Sequence, residues 1–389
     1  MLHLSIVYSF WVVHLDSLTT ERTDSIVYPN QDSVGHVHSI TGGNKFSSAL
    51  TSEIAMTSTC TTADNTADMS NYWAPQLYYK SKNGSLALVP LSNVNVYYQA
   101  RARAPGDTAP LTGPPKGTTG FPKGMQMLAG DPTRRTMDET KNEDKAIQYV
   151  CLGADGYPEI YKFPDRQCSG GLRAECRFPS CWNGVSDFTK EGIAANLRYP
   201  DGKDNGNCPT SHPRNFISIF GEFIYKVQDF EYYQDANKNG PWMWSNGDTT
   251  GYGFHCDFVD GWQPDVLLDA INRCQIPDGT GDQDKCPAFT ERNVLEKKPC
   301  QLEKQSPKEN IGLNGPVLQI PSGTGVLSAN GLTGSAVPVP NPPPTTPKTP
   351  VIEKNTVTLT PPAGETQSTM PYPIEKVPAT PPQPKCTKK

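Results

Sequence analysis

The chain has 389 residues, a formal net charge of −5 and a pI near 5.7, so it lacks the basic footprint of a nucleic-acid-binding protein. Only 35% of its residues are hydrophobic, against 38 prolines and 33 glycines, which predicts one compact domain plus a stretch that packs no core. No apolar run is long enough to span a bilayer, so no membrane span is expected.

The first apolar run, Leu4 to Val13, has the length of a signal-peptide core, but no Lys or Arg precedes it. Residues 1–17 are therefore read as a weak or mis-started signal-like segment, with a buried first strand as the alternative. Next, His36-Val37-His38 leads into Ser39-Ile40; if extended, its period of two puts His36, His38 and Ile40 on one face. Short runs rich in aromatic and β-branched residues follow at Tyr72–Lys80, Ser85–Leu91 and Val94–Arg101. Asn83-Gly84 between the first two signals a hairpin, and Asn83-Gly84-Ser85 is a glycosylation sequon. Gly124–Gly130 and Ala146–Leu152 read as further strands, whereas Asp165–Pro213 is dense in cysteine and turn residues and shows little regular structure. Phe216–Gln228 alternates, with Ile217, Ile219, Phe223, Tyr225 and Val227 on its apolar face.

Gly240 to Arg273 is the densest mixture of aromatics, glycines and titratable groups in the chain. It reads as a strand, a glycine loop carrying Asp248, and a second strand through His255, Cys256 and Asp257. On that second strand His255 and Asp257 share a face and Cys256 points the other way. A helix then runs from Pro264 to Cys274, with Pro in its first turn and Leu267, Ala270, Ile271 and Cys274 as its stripe. Residues 305–389 lose their aromatics and become a Pro/Thr-rich, disordered tail. Eleven cysteines, spread from Cys60 to Cys386 without CxxC pairs, fit disulfides formed in an oxidising compartment. The expected fold is mainly β: an antiparallel, sandwich-like domain over 18–304 with long loops, few short helices and several disulfides.

Three kinds of chemistry are open. His36 and His38 with His212 or His255 could ligate zinc or copper. Paired carboxylates, with Asp248 and Asp257 the leading pair and His255 beside them, could cleave a glycosidic bond. Around them Trp182, Trp244, Tyr252, Arg173 and Asp131 would bind substrate through aromatic faces and polar ends. A serine hydrolase is disfavoured: GxSxG is missing, and Ser211 and His212 as neighbours on a strand would point to opposite faces.

Six blocks in order, TTERTDSIVYPNQDSVGHVHSITGGNKF, STCTTADNTADMSNYWAPQLYYKSKNGSLALVP, FPKGMQMLAGDP, CSGGLRAECRFPSCWNG, CPTSHPRNFISIFGEF and WSNGDTTGYGFHCDFVDGW, resemble a fungal secreted family catalogued as domain of unknown function nineteen ninety-six. The resemblance covers roughly Leu18 to Cys300 and implies an extracellular, disulfide-linked domain without an established activity or cofactor. Its polar signature falls on His36, His38, Asp131, Arg173, Trp182, Ser211, His212, Trp244, Asp248, His255 and Asp257. The chain departs from the family at Leu15-Asp16-Ser17, where a cysteine is usual, and at Asn183, where an acid is usual. It also has no histidine in Phe188–Arg198, and carries Cys256 where a small residue is usual. The leading expectation is a secreted protein, cell-wall associated, that binds or hydrolyses wall polysaccharide. The alternatives are a non-catalytic structural protein of the wall and a metalloprotein centred on His36 and His38; the cofactor is unknown.

Overall fold

A computed structural model describes residues 10–108, 114–153, 157–236, 238–274, 279–323 and 325–333. Residues 1–9 and 334–389, which hold most of the expected leader and tail, lie outside them.

The protein is mainly β, and its core is a sandwich of two five-stranded antiparallel sheets. The first sheet runs in the order Phe10–Leu15, Leu91–Gln99, Ser218–Tyr225, Gly171–Arg177, Ile147–Leu152. The second runs Ser17–Glu21, His38–Gly42, Asn71–Pro75, His255–Val259, Gln126–Gly130. Alternation along each strand sends one set of side chains between the sheets. From the first sheet these include Trp11, Val96, Tyr98, Ile219, Phe223 and Ala174; from the second, Tyr72, Met127 and Phe258, all buried. The Cys176–Cys256 disulfide crosses the gap and ties the two layers together. It is one of five, with 60–300, 151–168, 181–208 and 274–286, so every described cysteine is bridged. Cys386 lies outside the described residues.

Several sequence expectations are met. The strands at Gln126–Gly130 and Ile147–Leu152 form, Leu77–Lys80 and Leu86–Leu88 pair around the Asn83-Gly84 turn, and Ser218–Tyr225 alternates. Pro264–Arg273 is the longest helix described and buries Val266, Leu267, Ala270 and Ile271. Among the described residues no helix is long and apolar enough to cross a membrane.

Other expectations are corrected. Phe10–Leu15 takes the alternative given for the first apolar run: it is an edge strand paired with Leu91–Gln99, burying Trp11, Val13 and Leu15. In the cysteine-dense middle, Gly171–Arg177 is the fourth strand of the first sheet. Leu172, Ala174 and Cys176 face the core while Arg173, Glu175 and Arg177 face outward, an alternation hidden among turn residues. At the other end, Gln319–Ser322, Gly325–Ser328 and Gly331–Thr333 form hairpins. Their Ile320 and Leu327 pack with Tyr78, Leu86 and Met243, inside the stretch assigned to the tail. The aromatics of the 240–273 stretch are core residues as well: Trp242, Trp244, Phe254 and Trp262 are all at most 1% exposed.

Candidate functional site

The outer face of the second sheet carries the site. Register places His38 opposite Pro75, and Asp257 opposite Trp73, so His255 falls level with Pro75 and the two histidines share a row with the proline between them. Two strand spacings separate their backbones by roughly 9.5 Å. The imidazoles close that gap over the low proline ring, and their centroids stand 6.1 Å apart. His36, two residues before His38, completes the cluster at 4.3 Å from His38 and 4.9 Å from His255. The two rings of the HxH pair do fall together, although His36 sits in a bend just before the strand, and His255 is the third member. Gly130 stands directly opposite His255 with φ +88°; any side chain there would meet the Phe254 carbonyl at 2.5 Å, so the close approach requires glycine.

Hydrogen bonds fix the rings. His38 Nδ1 donates to the Thr23 carbonyl (3.1 Å) and His255 Nδ1 to the Gly253 carbonyl (3.0 Å). A carbonyl can only accept, so both rings carry their proton on Nδ1 and present a lone pair at Nε2. The Nε2 of His36 lies 3.0 Å from that of His255, and one ligand atom from each of the three rings falls within 4.8 Å of the others. The Nε2 of His38 is buried without a hydrogen-bond partner. Burial and the neighbouring imidazoles hold His36 well below the usual histidine pKa; burial pushes His38 down to about 3 and His255 to about 4. All three are neutral at any ordinary pH, the form that ligates metal.

The support for His255 begins in the glycine loop. Asp248 is fully buried and accepts from Thr250 N (2.8 Å), Thr250 Oγ1 (2.6 Å), Gly251 N (2.9 Å) and Gly253 N (2.7 Å), with Arg135 Nε at 3.6 Å. Its lone pairs are committed to the loop. It orders Gly253, whose carbonyl orients His255.

His36 and His255 line a cleft of about 1050 Å³, together with Asp24, Asp131, Asp257, Tyr28 and Tyr199. Asp257, one row along from His255, is 1% exposed, and neither carboxylate oxygen has a hydrogen-bond partner. Burial and the nearby Asp24 push its pKa well above the usual carboxylate range. Asp24 is itself raised to about 6 by burial.

The remaining expected site residues are elsewhere. His212 is no ligand in this cluster: its Nε2 faces the Ala195 carbonyl (3.0 Å) and its Nδ1 faces Ser211 Oγ (2.9 Å). That contact corrects the expectation that Ser211 and His212 point apart, because the pair sits in a turn, not a strand. Trp244 is wholly buried and donates to Tyr149 Oη, so it offers no sugar platform. Trp182 is half-buried under Arg214, and Arg173 lies on the outer face of the first sheet, bound to Glu175 and Glu222. Tyr252 is half-buried, its carbonyl holding Arg134. None of these four is among the residues lining the cleft. The orienting carbonyls of Thr23 and Gly253 and the cleft carboxyl of Asp24 were not anticipated, since backbone acceptors leave no residue-type signal.

Compared with known families, residues 24–262 match the family described as Domain of unknown function (DUF1996), a span of more than half the chain. The chain belongs to this family. The match contains all three histidines, the 246–253 loop and the Cys176–Cys256 bridge that anchors their sheet. No curated protein and no solved structure matches the chain. As a DUF1996 member the protein carries no activity by inheritance, so its function has to be argued from the site.

Proposed function

We propose that this DUF1996 domain is a secreted metal-binding protein in which His36, His38 and His255 hold one transition-metal ion at the floor of the cleft. The observation that carries the proposal is the buried, unpartnered Nε2 of His38 in a group whose three rings each bring one nitrogen within 4.8 Å of the others. A histidine kept for structure alone would satisfy that nitrogen, since leaving it bare costs about 1–3 kcal/mol. Nδ1-to-carbonyl bonds on two rings are the usual outer support of ligating histidines. Three nitrogens without a protein carboxylate or thiolate in the group fit zinc or copper, and two of the three rings line the cleft. Bound there, zinc would supply a Lewis acid and copper a redox centre. The chain's own residues orient the rings, bury His38, and hold the Asp257 carboxyl on the same strand face as His255. Five disulfides and the family resemblance support an extracellular setting, and the resemblance a fungal one.

Glycoside hydrolysis by Asp248 and Asp257 finds less support, because Asp248 is spent on its loop and the stretch's tryptophans are core. The test is elemental analysis of protein made in a disulfide-forming host and purified without chelator. One equivalent of zinc or copper is expected in the wild type and none in a His36→Ala, His38→Ala pair. Metal-free wild type that takes up neither ion on titration would overturn the proposal.

A further inference from the structure

The outer face of the first sheet, on the other side of the sandwich from the histidines, is built unlike a solvated surface or a core. Directly opposed positions form rows across its strands. Val12, Tyr97, Phe220 and Arg177 make one row, and His14, Asn95, Glu222, Glu175 and Gln148 make the next, spanning all five strands. Phe10, opposite Gln99 in the adjacent row, stacks on Tyr97 at 6.5 Å; within the first row Tyr97 and Phe220 lie 5.3 Å apart, and the Arg177 guanidinium covers Phe220 at 4.3 Å. The second row is internally bonded. Arg173 Nε donates to Glu175 at 2.8 Å and its NH1 pairs with Glu222 at 3.3 Å. Asn95 donates to Glu222 at 3.1 Å, and Asn93 donates to Asn95 at 2.8 Å. Glu175 and Glu222 are sealed, with side chains 0% and 5% exposed, while Phe10, Tyr97, Phe220, Asn93, Asn95 and Arg173 remain partly exposed.

Locking two carboxylates under a sheet face is costly, and Arg173 and Asn95 offset it only by fixing their geometry. The result is a pre-ordered surface: a strip of aromatic rings beside a strip of amides and a neutralised carboxylate–guanidinium group.

We propose that this face is a second binding site, taking a neutral polysaccharide chain laid across the strands, with sugar rings on Tyr97 and Phe220 and hydroxyls at Asn93, Asn95 and Arg173. The chemistry selects that occupant. Aromatic rings spaced along one row suit a chain of rings with apolar faces, and adjacent amides and a guanidinium bond to hydroxyls. The two cations named on the face are already paired, Arg173 with Glu175 and Glu222 and Arg177 with Glu175 and Asp204, and the chain's net charge of −5 repels a phosphate or sulfate polymer. The central strands pair on both sides, so no peptide strand can add to them. The proposal is independent of the metal reading, since no histidine of the cluster lies on this sheet.

The test is retention of full-length protein on insoluble glucan and chitin, and retardation in gels containing soluble neutral glucan or mannan. A chelator-treated sample and an anionic glycan gel run alongside. Wild type should be retained by at least one neutral glycan, with or without chelator. Phe220→Ala and Asn95→Ala should each weaken retention at least tenfold. Asn95→Ala removes only a half-buried amide, so it keeps the experiment readable if Phe220→Ala fails to fold. Retention on no neutral glycan, equal retention of wild type and Asn95→Ala, or retention only on the anionic gel would each overturn the proposal.

Discussion

Replacing His38 by phenylalanine separates a metal ligand from a structural histidine, because the two roles give opposite signs. In the metal-free protein the change removes a buried lone pair without a partner, a gain of about 1–3 kcal/mol, and loses the Nδ1 bond to Thr23, a cost of about 0.5–1.5 kcal/mol. Phenylalanine fills most of the same volume, so no large cavity term enters. The apo variant is therefore expected to melt at the wild-type temperature or slightly above. Metal changes the comparison. At a concentration 100 times its dissociation constant, an ion that binds only the folded chain stabilises it by about 2.7 kcal/mol. At about 2.1 cal/mol/K of unfolding entropy per residue, a domain of roughly 300 residues gains about 1.6 °C per kcal/mol, which raises the wild-type midpoint by ~4 °C. With the third ligand gone, the shift should vanish. Differential scanning fluorimetry of chelator-stripped protein, with and without zinc or copper, reads both quantities. If neither ion shifts the wild type, or both proteins shift equally, the ligand role is refuted; a fall in the apo midpoint would show that the Thr23 bond outweighs the bare nitrogen.

Three further outcomes follow from particular contacts. Asp248→Ala frees the Gly251 and Gly253 amides and lets the carbonyl that orients His255 drift. Metal affinity by calorimetry should fall about 10–100-fold, as for other outer-shell supports, and an unchanged value would reduce Asp248 to a loop residue. Asp260 is raised to about 8 by burial, with Asp68 adding to it, from an ordinary value of 3.8. The folded chain thus keeps a proton that the unfolded chain loses above pH 4, and stability should decline as pH rises from about 4 to 8. Urea midpoints at pH 5 and pH 8 should differ less in Asp260→Asn than in wild type; equal differences would remove Asp260 as the cause. Opening the Cys176–Cys256 bridge by a double Cys→Ala change releases a link across 80 residues, worth at most about 4.5 kcal/mol on chain entropy and less because Cys181–Cys208 already shortens that loop. Since Cys256 lies between His255 and Asp257, metal affinity should fall with it; loss of stability at full affinity would show that the sheet holds His255 unaided.

Much of the fold was legible because period-two alternation survives wherever one face of a strand is polar. Ser218–Tyr225 and Ile147–Leu152 are such strands, and the Asn83-Gly84 turn and the Pro264 helix carry their own local signals. Gly171–Arg177 alternates just as well, but its outward residues are charges closed into ion pairs and its neighbours are glycines and cysteines, so a central strand reads as a loop. The aromatic stretch misled in the opposite direction. Trp244 and Trp262 look like platforms because they sit among acids and glycines, yet those glycines let the backbone turn tightly enough to send the indoles inward.

The histidine cluster shows where such reading must stop. His36 and His38 advertise a shared face through their spacing, and His255 stood out for its neighbours, but 219 residues separate His36 from His255 and nothing local links them. What joins them is register: Pro75 pairs with His38 on one side and lies level with His255 on the other. A slip of one residue in either pairing would turn a histidine to the opposite face, toward the packed sheets. Cys256 forbids that slip on its strand, because its sulfur must reach Cys176 between the layers, and so the flanking His255 must face out. The bridge that looked like an oddity of composition thus fixes which side of the sheet the third histidine occupies.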